Sequence, residues 1–367
     1  MIARELGKHR RYGREDADGH MVVLGLSHRT ARVELREKAS LAEAAARSVL
    51  RMLRTQPALA ESAVLSTCNR TELYAVVGDA GCESDTLSQA LIRHSRIGPD
   101  ELAGASYLFA GDAAVRHLFR VAASLDSMVL GESEIQGQVR AARELGRQEG
   151  TLGPQLDRAF AHALDTGRRV RSKTRVAAGA VSVSSVAVDL ARTALGDLRD
   201  RRVLLVGAGR AAEATARALL GHGVREVVVA NRTPATASRL AARFGGRAVG
   251  FEALTGELDA ADVVISSTDA AQTILAADDL MATLNPRRRR PVVLIDIAVP
   301  RDIDPRVGEL PGVRLHNVDD LQRVVETNLN GRRQEAARAE VIVTEEVERF
   351  TAWRRLCAAA GPVSLAG

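Results

Sequence analysis

The chain has 367 residues, 46% of them hydrophobic but only 3% aromatic, with a formal net charge of +5. That length suits two or three domains with cores built mainly from Ala, Val and Leu, and the clustered arginines favour an anionic partner. Three cysteines without regular spacing argue against a disulfide framework and fit a reducing cytosol, while no run approaches the ~18 apolar residues of a membrane span and the basic first twenty residues lack the apolar core of a secretory signal.

Residues 1–20 read as a disordered basic tail. Met21-Val22-Val23-Leu24-Gly25-Leu26 reads as a first strand, and Ser40-Leu41-Ala42-Glu43 has the pattern of a capping box opening an Ala-rich helix to about Arg54. Two apolar runs, Ala63-Val64-Leu65 and Leu73-Tyr74-Ala75-Val76-Val77, predict a pair of short strands. Between them lies Ser66-Thr67-Cys68-Asn69-Arg70-Thr71-Glu72, so Cys68 sits at the mouth of a sheet edge. A cation two residues away, Arg70, can hold the thiol partly as thiolate. The other reading of Cys68 is a half-buried structural cysteine. A further helix is expected from about Asp85 to His94.

From Asp112 the pattern turns helical. Val115, Leu118, Phe119, Ala122 and Leu125 recur at three- and four-residue steps, which leaves Arg116, His117 and Arg120 off the apolar face. Helices follow over residues 135–147 and 156–173. The second ends in Arg168-Arg169-Val170-Arg171-Ser172-Lys173-Thr174-Arg175, which suits either solvent and the helix dipole or a phosphate backbone.

After a helix over residues 182–195, Arg202-Val203-Leu204-Leu205-Val206 reads as a strand running into Gly207-Ala208-Gly209-Arg210-Ala211-Ala212. A Gly-x-Gly-x-x-Ala turn between strand and helix is the dinucleotide fingerprint: Gly207 makes the tight turn, Gly209 admits the pyrophosphate, and Ala212 lets the helix pack close. The next strand ends in Asn231-Arg232-Thr233 where a ribose-binding acid would favour NADH. Arg232 and Thr233 suit a 2′-phosphate instead, so NADPH is the expected cofactor. Two more buried strands are expected at residues 263–266 and 291–296, and a basic loop at 287–290. From Asp319 the chain reads as one long connecting helix.

Three blocks in order ahead of the glycine turn resemble the glutamyl-tRNA reductase family. They are Gly25-Leu26-Ser27-His28-Arg29-Thr30-Ala31 with Leu35-Arg36-Glu37-Lys38, then Ser66-Thr67-Cys68-Asn69-Arg70-Thr71-Glu72, then His117-Leu118-Phe119-Arg120-Val121-Ala122 with Leu125-Asp126-Ser127-Met128-Val129-Leu130-Gly131-Glu132. The resemblance implies an α/β multidomain fold: an N-terminal α+β catalytic domain (21–160), a Rossmann-type NADPH domain (161–318), and a long helix with a truncated dimerisation region (319–367). It implies reduction of glutamyl-tRNA to glutamate-1-semialdehyde through a thioester on Cys68, the first step of five-carbon tetrapyrrole synthesis in the cytoplasm.

By the same resemblance, His117 is the second catalytic residue. Thr67, Asn69, Arg70, Ser127, Glu132, Ser133, Glu134 and Gln138 line the aminoacyl site, with Arg70 suited to a carboxylate. The aldehyde would pass to glutamate-1-semialdehyde aminotransferase. Cys82 and Cys357 match no motif and read as structural. Glu134 stands where the family commonly has Gln, which leaves open the amino acid accepted. The chain stops at Gly367 where the family continues into a helical dimerisation domain, which leaves the oligomeric state, homodimer or not, open. Two other readings stay open: a paralogous reductase acting on another aminoacyl-tRNA, and a catalytically idle tRNA- or partner-binding protein.

Overall fold

The structure, a computed structural model, describes residues 19–78, 83–128, 130–132, 134–176, 183–224, 226–270, 272–284, 291–321 and 333–360. The chain divides into two units, residues 1–180 with 331–367 and residues 181–330. The first contains β1 (His20–Ser27), α1 (Val33–Ala39), α2 (Glu43–Arg54), β2 (Leu59–Ser66), β3 (Arg70–Val77), α3 (Glu83–His94), α4 (Pro99–Ala105), β4 (Tyr107–Ala110), α5 (Asp112–Ala122), α6 (Glu134–Gln148) and α7 (Pro154–Lys173). The second contains α8 (Val183–Leu195), β5 (Arg202–Val206), α9 (Arg210–Leu220), β6 (Glu226–Ala230), α10 (Pro234–Arg243), β7 (Arg247–Val249), α11 (Leu254–Ala260), β8 (Val263–Ser266), α12 (Ala277–Leu284), β9 (Val292–Asp296) and β10 (Val313–Asn317). The helix α13 (Arg333–Ala360) belongs to the first unit.

In the first unit the strands pair antiparallel in the order β2-β3-β1-β4. The sheet is buried on both faces, which is why its strands read as continuous apolar runs. Met21, Val23, Ala63, Leu65, Tyr74 and Val76 face α5, α6 and α7, while Val22, Leu24, Leu26, Val64, Leu73 and Ala75 face α2, α3 and α4.

Four expectations are corrected here. The capping box at Ser40 does not form: α2 begins at Glu43 with no side-chain cap on Ala42, because the Leu41 amide donates to Ser66 Oγ (3.0 Å) and holds the chain extended. The strand β3 begins at Arg70, three residues before the apolar run that announced it. The units divide at 180/181 and not at 160/161, because Leu156, Phe160, Ala163, Leu164 and Val170 along α7 all enter the first core.

The fourth correction concerns the C-terminal helix, which was expected to connect and not to form a core. Ala339, Ile342, Val343, Val347 and Phe350 of α13 are buried in the first unit's main cluster, each larger side chain worth roughly 1.5–3 kcal/mol. Phe350 meets Phe119 edge-on at 5.9 Å, and Arg120 and His162 bind Glu340 (2.8 Å) and Glu346 (2.7 Å). Residues 1–18 of the expected tail, Cys82 and the basic loop 287–290 lie outside the described residues, as does the 322–332 part of the expected long helix, while His20, expected in the tail, opens β1. Among the described residues no helix is long and apolar enough to cross a membrane.

The second unit is a parallel six-stranded sheet in the order β10-β9-β8-β5-β6-β7. Taken from β5 onward this is the doubly wound order 3-2-1-4-5-6, in which the chain reverses between β5 and β8. Ligands of such sheets lie at the carboxyl ends of those two strands. The edge strands complete it: β7 is only three residues long and β10 lacks a buried apolar run, so neither stands out in the sequence.

Candidate active site

Cys68 lies in the turn between β2 and β3. Thr67 Oγ1 accepts from the amides of Asn69 (3.1 Å) and Arg70 (3.2 Å), and the Thr67 amide donates to the Arg70 carbonyl (2.8 Å). The His28 amide donates to the Asn69 carbonyl (2.8 Å), tying the turn to the end of β1. A side-chain-closed turn of this kind fixes the backbone on both sides of the sulfur. Cys68 itself is half-buried.

Below the turn, Arg70, Glu72 and Tyr74 alternate along β3 and so share one face of the sheet. Glu72 is fully buried and gathers four donors: Arg70 Nη1 (2.6 Å), Tyr74 Oη (2.5 Å), Tyr107 Oη (2.5 Å) and His117 Nε2 (2.8 Å). The other arm of Arg70 reaches the carbonyl and carboxylate of Asp126, the latter at 3.0 Å, and Arg29 binds the same carboxylate at 2.9 Å. Opposite Glu72 on β1 stands Gly25, where a Cβ would lie 2.6 Å from Glu72 Cγ. Only glycine leaves room for the carboxylate. Burial alone would push the Glu72 carboxyl up, but the Arg70 charge and the bonds from His117 and Tyr107 hold it well below the usual carboxylate range.

This geometry revises three expectations. Arg70 does not activate the thiol: it is 1% exposed, with both arms committed to Glu72 and Asp126. The thiol is instead pushed up to about 12, by burial first and then by the charges of Glu132 and Glu134, with Arg36 acting the other way. His117 is not a surface residue. It is 7% exposed, with its ring packed against the mutually stacked rings of Tyr107 (5.2 Å) and Phe109 (5.0 Å) and its Nε2 on Glu72.

Around Cys68, Asn69 and Ser127 are buried, and Glu132 and Glu134 are half-buried. Glu132 is anchored through its carbonyl, which accepts from Ser124 Oγ (2.6 Å). Burial and the neighbouring Glu134 push its carboxyl up to about 7. Gln138 stands one turn along α6 from Glu134, on the same helix face. Ser133 lies outside the described residues. Asn69 Oδ1 and His28 Nδ1 are buried with no hydrogen-bond partner among the described residues, and burial together with Arg70 lowers the His28 ring to about 4, keeping it neutral. The sequence reading missed Glu72, Asp126, Tyr107, Arg36 and His28 as parts of this site. The available signal was the Arg-x-Glu-x-Tyr alternation, two charges at strand spacing on an inward face.

At the end of α7 the five clustered cations are partly paired. Arg168 binds Asp165, Arg169 binds Glu345 and Glu346, and Arg171 donates to the Gly131 carbonyl (3.0 Å). Lys173 and Arg175 stay exposed.

In the second unit Gly207 turns with φ +103°, and Gly209 precedes α9 without a side-chain cap. A Cβ on Gly209 would meet nothing within 4 Å, so open space adjoins the start of α9. Ala208 and Ala211 are half-buried, Arg210 is exposed, and Ala212 is packed against the sheet at 1% exposure. Asn231 Nδ2 donates to the Thr233 carbonyl (3.2 Å), leaving Arg232 and Thr233 exposed ahead of α10.

Comparison with known proteins agrees with both halves. Residues 24–174 match the glutamyl-tRNA(Glu) reductase N-terminal domain, and residues 189–324 match the shikimate / quinate 5-dehydrogenase family. A glutamyl-tRNA reductase of Syntrophotalea carbinolica is 45% identical over 336 residues, covering 92% of this chain and 76% of the relative. One from Stenotrophomonas maltophilia is 47% identical over 341 residues, covering 93% and 78%. The chain belongs to the glutamyl-tRNA reductase family. A solved member from Methanopyrus kandleri is 38% identical with a TM-score of 0.49, covering 91% of this chain and 80% of the other. The family's N-terminal domain match spans both the hairpin of Cys68 and the helix of His117, and the dehydrogenase match spans the glycine turn.

Proposed function

We propose that this chain reduces glutamyl-tRNA to glutamate-1-semialdehyde with NADPH, through a thioester on Cys68. The observation that carries the reading is the pinned, half-buried Cys68 above a buried Glu72–Arg70–His117 network, in a chain that also holds a dinucleotide turn. In the first step Cys68 Sγ bonds to the ester carbonyl carbon and the ribose oxygen leaves with the thiol proton. NADPH, when bound, supplies the hydride that converts the thioester carbon to an aldehyde. Breaking the C–S bond returns the sulfur as thiolate, which then takes up a proton.

Glu132 and Glu134 suit the substrate's α-ammonium group. After burial, theirs are the charges that hold the thiol up in the free site, so an arriving cation that neutralises them favours the thiolate. Thr67 and Asn69 shape the turn, and the unpartnered Asn69 Oδ1 and His28 Nδ1 are available to polar groups of the aminoacyl ester. His117 holds Glu72 and through it Arg70, which makes it a positioning residue. Ser127, Ser133 and Gln138 complete the aminoacyl site. Gly207, Ala208, Gly209, Arg210, Ala211 and Ala212 hold the pyrophosphate, and Asn231, Arg232 and Thr233 the 2′-phosphate. The substrate, a charged tRNA, places the reaction in the cytoplasm, and the reactive aldehyde calls for an aminotransferase to consume it.

The decisive experiment supplies glutamyl-tRNA and NADPH and identifies the product. Glutamate-1-semialdehyde is expected. No aldehyde from glutamyl-tRNA, with one from another aminoacyl-tRNA, would replace this reading by the paralogue that Glu134 suggests. For the cofactor, Arg232→Ala should raise the Kd for NADPH about tenfold and leave that for NADH within about twofold, since one exposed charge-assisted contact is worth on the order of 1.4 kcal/mol. Fluorescence titration with both nucleotides checks this, and equal losses would reject the 2′-phosphate site.

A further inference from the structure

Two carboxyls of the second unit are all but completely buried, and the reaction assigns neither a part. Asp296 ends β9 at 1% exposure, and Asp302 follows in the next loop at 0%. They bind different things. Asp296 accepts from the amides of Ala298 (3.0 Å) and Ile303 (2.8 Å), folding its own loop. Asp302 reaches to the neighbouring strand end: its Oδ2 accepts from Ser266 Oγ (2.6 Å) and the Thr268 amide (2.8 Å), and its Oδ1 from Thr268 Oγ1 (2.5 Å). A buried carboxylate is costly unless its lone pairs are met. Here three donors meet it, and all three come from the end of β8.

That end lies at the reversal of strand order. The Ser267 amide donates to the carbonyl of Val206 (2.9 Å), the last residue of β5. Gly207 follows, and a Cβ there would stand 2.8 Å from the Ser267 carbonyl oxygen. The segment that Asp302 grips is therefore the wall against which the first glycine of the dinucleotide turn packs. Binding geometry of this kind tolerates displacements of only about 0.5 Å.

We propose that Asp302 is a positioning residue for NADPH, fixing Ser267 and Thr268 and through them the Gly207 turn that receives the pyrophosphate. The inference rests on NADPH binding in this crevice. It deepens that reading by placing control of affinity on a residue in the loop after β9, outside the glycine motif. Because the pyrophosphate is common to both nucleotides, loss of Asp302 weakens NADPH and NADH in the same proportion, unlike loss of Arg232.

The test titrates NADPH and NADH into the full chain by nicotinamide fluorescence, with thermal melts in parallel. Asp302→Ala should raise both Kd values by about tenfold or more, and Asp302→Asn, whose amide oxygen still accepts two of the three bonds, should return both to within about threefold of the parent. A cooperatively melting Asp302→Ala protein with an NADPH Kd within about twofold of the parent overturns the proposal. So does a loss confined to NADPH. Should Asp302→Ala not fold, Thr268→Val decides, since it removes one hydroxyl at nearly constant shape. A rise of about threefold or more, measured well below its melt, supports the proposal, and an unchanged Kd overturns it.

Discussion

Cys68→Ser is expected to lower NADPH-dependent aldehyde formation by more than about 10³-fold, the scale on which loss of a nucleophile acts. Two causes add. The serine hydroxyl is a far weaker nucleophile at neutral pH, and His117, the other residue expected to be catalytic, is turned to Glu72. If an acyl-serine did form, it would be another oxygen ester, no more open to hydride than the substrate it replaced. The fold should not notice the change. Cys68 is half-buried in a turn whose hydrogen bonds come from Thr67 and the backbone. The assay follows semialdehyde from glutamyl-tRNA, with retention of labelled glutamate on the protein as a second readout. A serine variant that keeps a tenth of the activity would remove Cys68 from the chemistry.

The physical reason some features were legible in the sequence, and others not, shows in particular residues. The strand β5 and its turn are local: an apolar run, two glycines and a close-packed Ala212 lie within a dozen residues, and each has one structural meaning. The position of Cys68 was legible for the same reason, since two apolar runs flank one polar turn. Its electrostatics were not. Arg70 is two residues away in sequence, yet its partners Glu72 and Asp126 decide what it does, and Asp126 is 56 positions distant. His117 was assigned to the polar face of α5 because helical periodicity counts it as polar, whereas its partner Glu72 lies 45 positions back on a strand. The helix α13 shows the same limit. Its apolar stripe is irregular because much of its attachment is polar, through Glu345 and Glu346 to Arg169 on α7. Pairings of that range are facts of tertiary structure, and composition or spacing cannot announce them.

Glu72 carries the largest expected effect on stability. Glu72→Ala leaves the Arg70 guanidinium buried with half its partners gone, and strands the hydroxyls of Tyr74 and Tyr107. Removing one member of a buried ion pair costs about 3–5 kcal/mol, because the remaining charge stays unsolvated. Glu72→Gln keeps one acceptor oxygen and the volume, and should lose roughly half as much. Urea unfolding at neutral pH separates the two. The pH dependence gives an independent check. The folded carboxyl lies below its unfolded value near 4.3, so its contribution is fully present above that pH and is lost as the pH falls through the folded value. Stability of the parent should therefore fall below pH ~4.3 more steeply than that of Glu72→Gln, by up to about 1.4 kcal/mol per pH unit. Parallel acid limbs would mean that Glu72 is not held ionised by Arg70 and His117. A buried ion pair is weak ground for stability in itself, since apolar residues of equal volume often serve as well. What this pair does is join the hairpin of Cys68, through Arg70, to Asp126 beside Ser127. Glu72→Gln should accordingly lose more in kcat than its modest change in stability explains, and an unchanged kcat in a stably folded Gln variant would show the network to be scaffold alone.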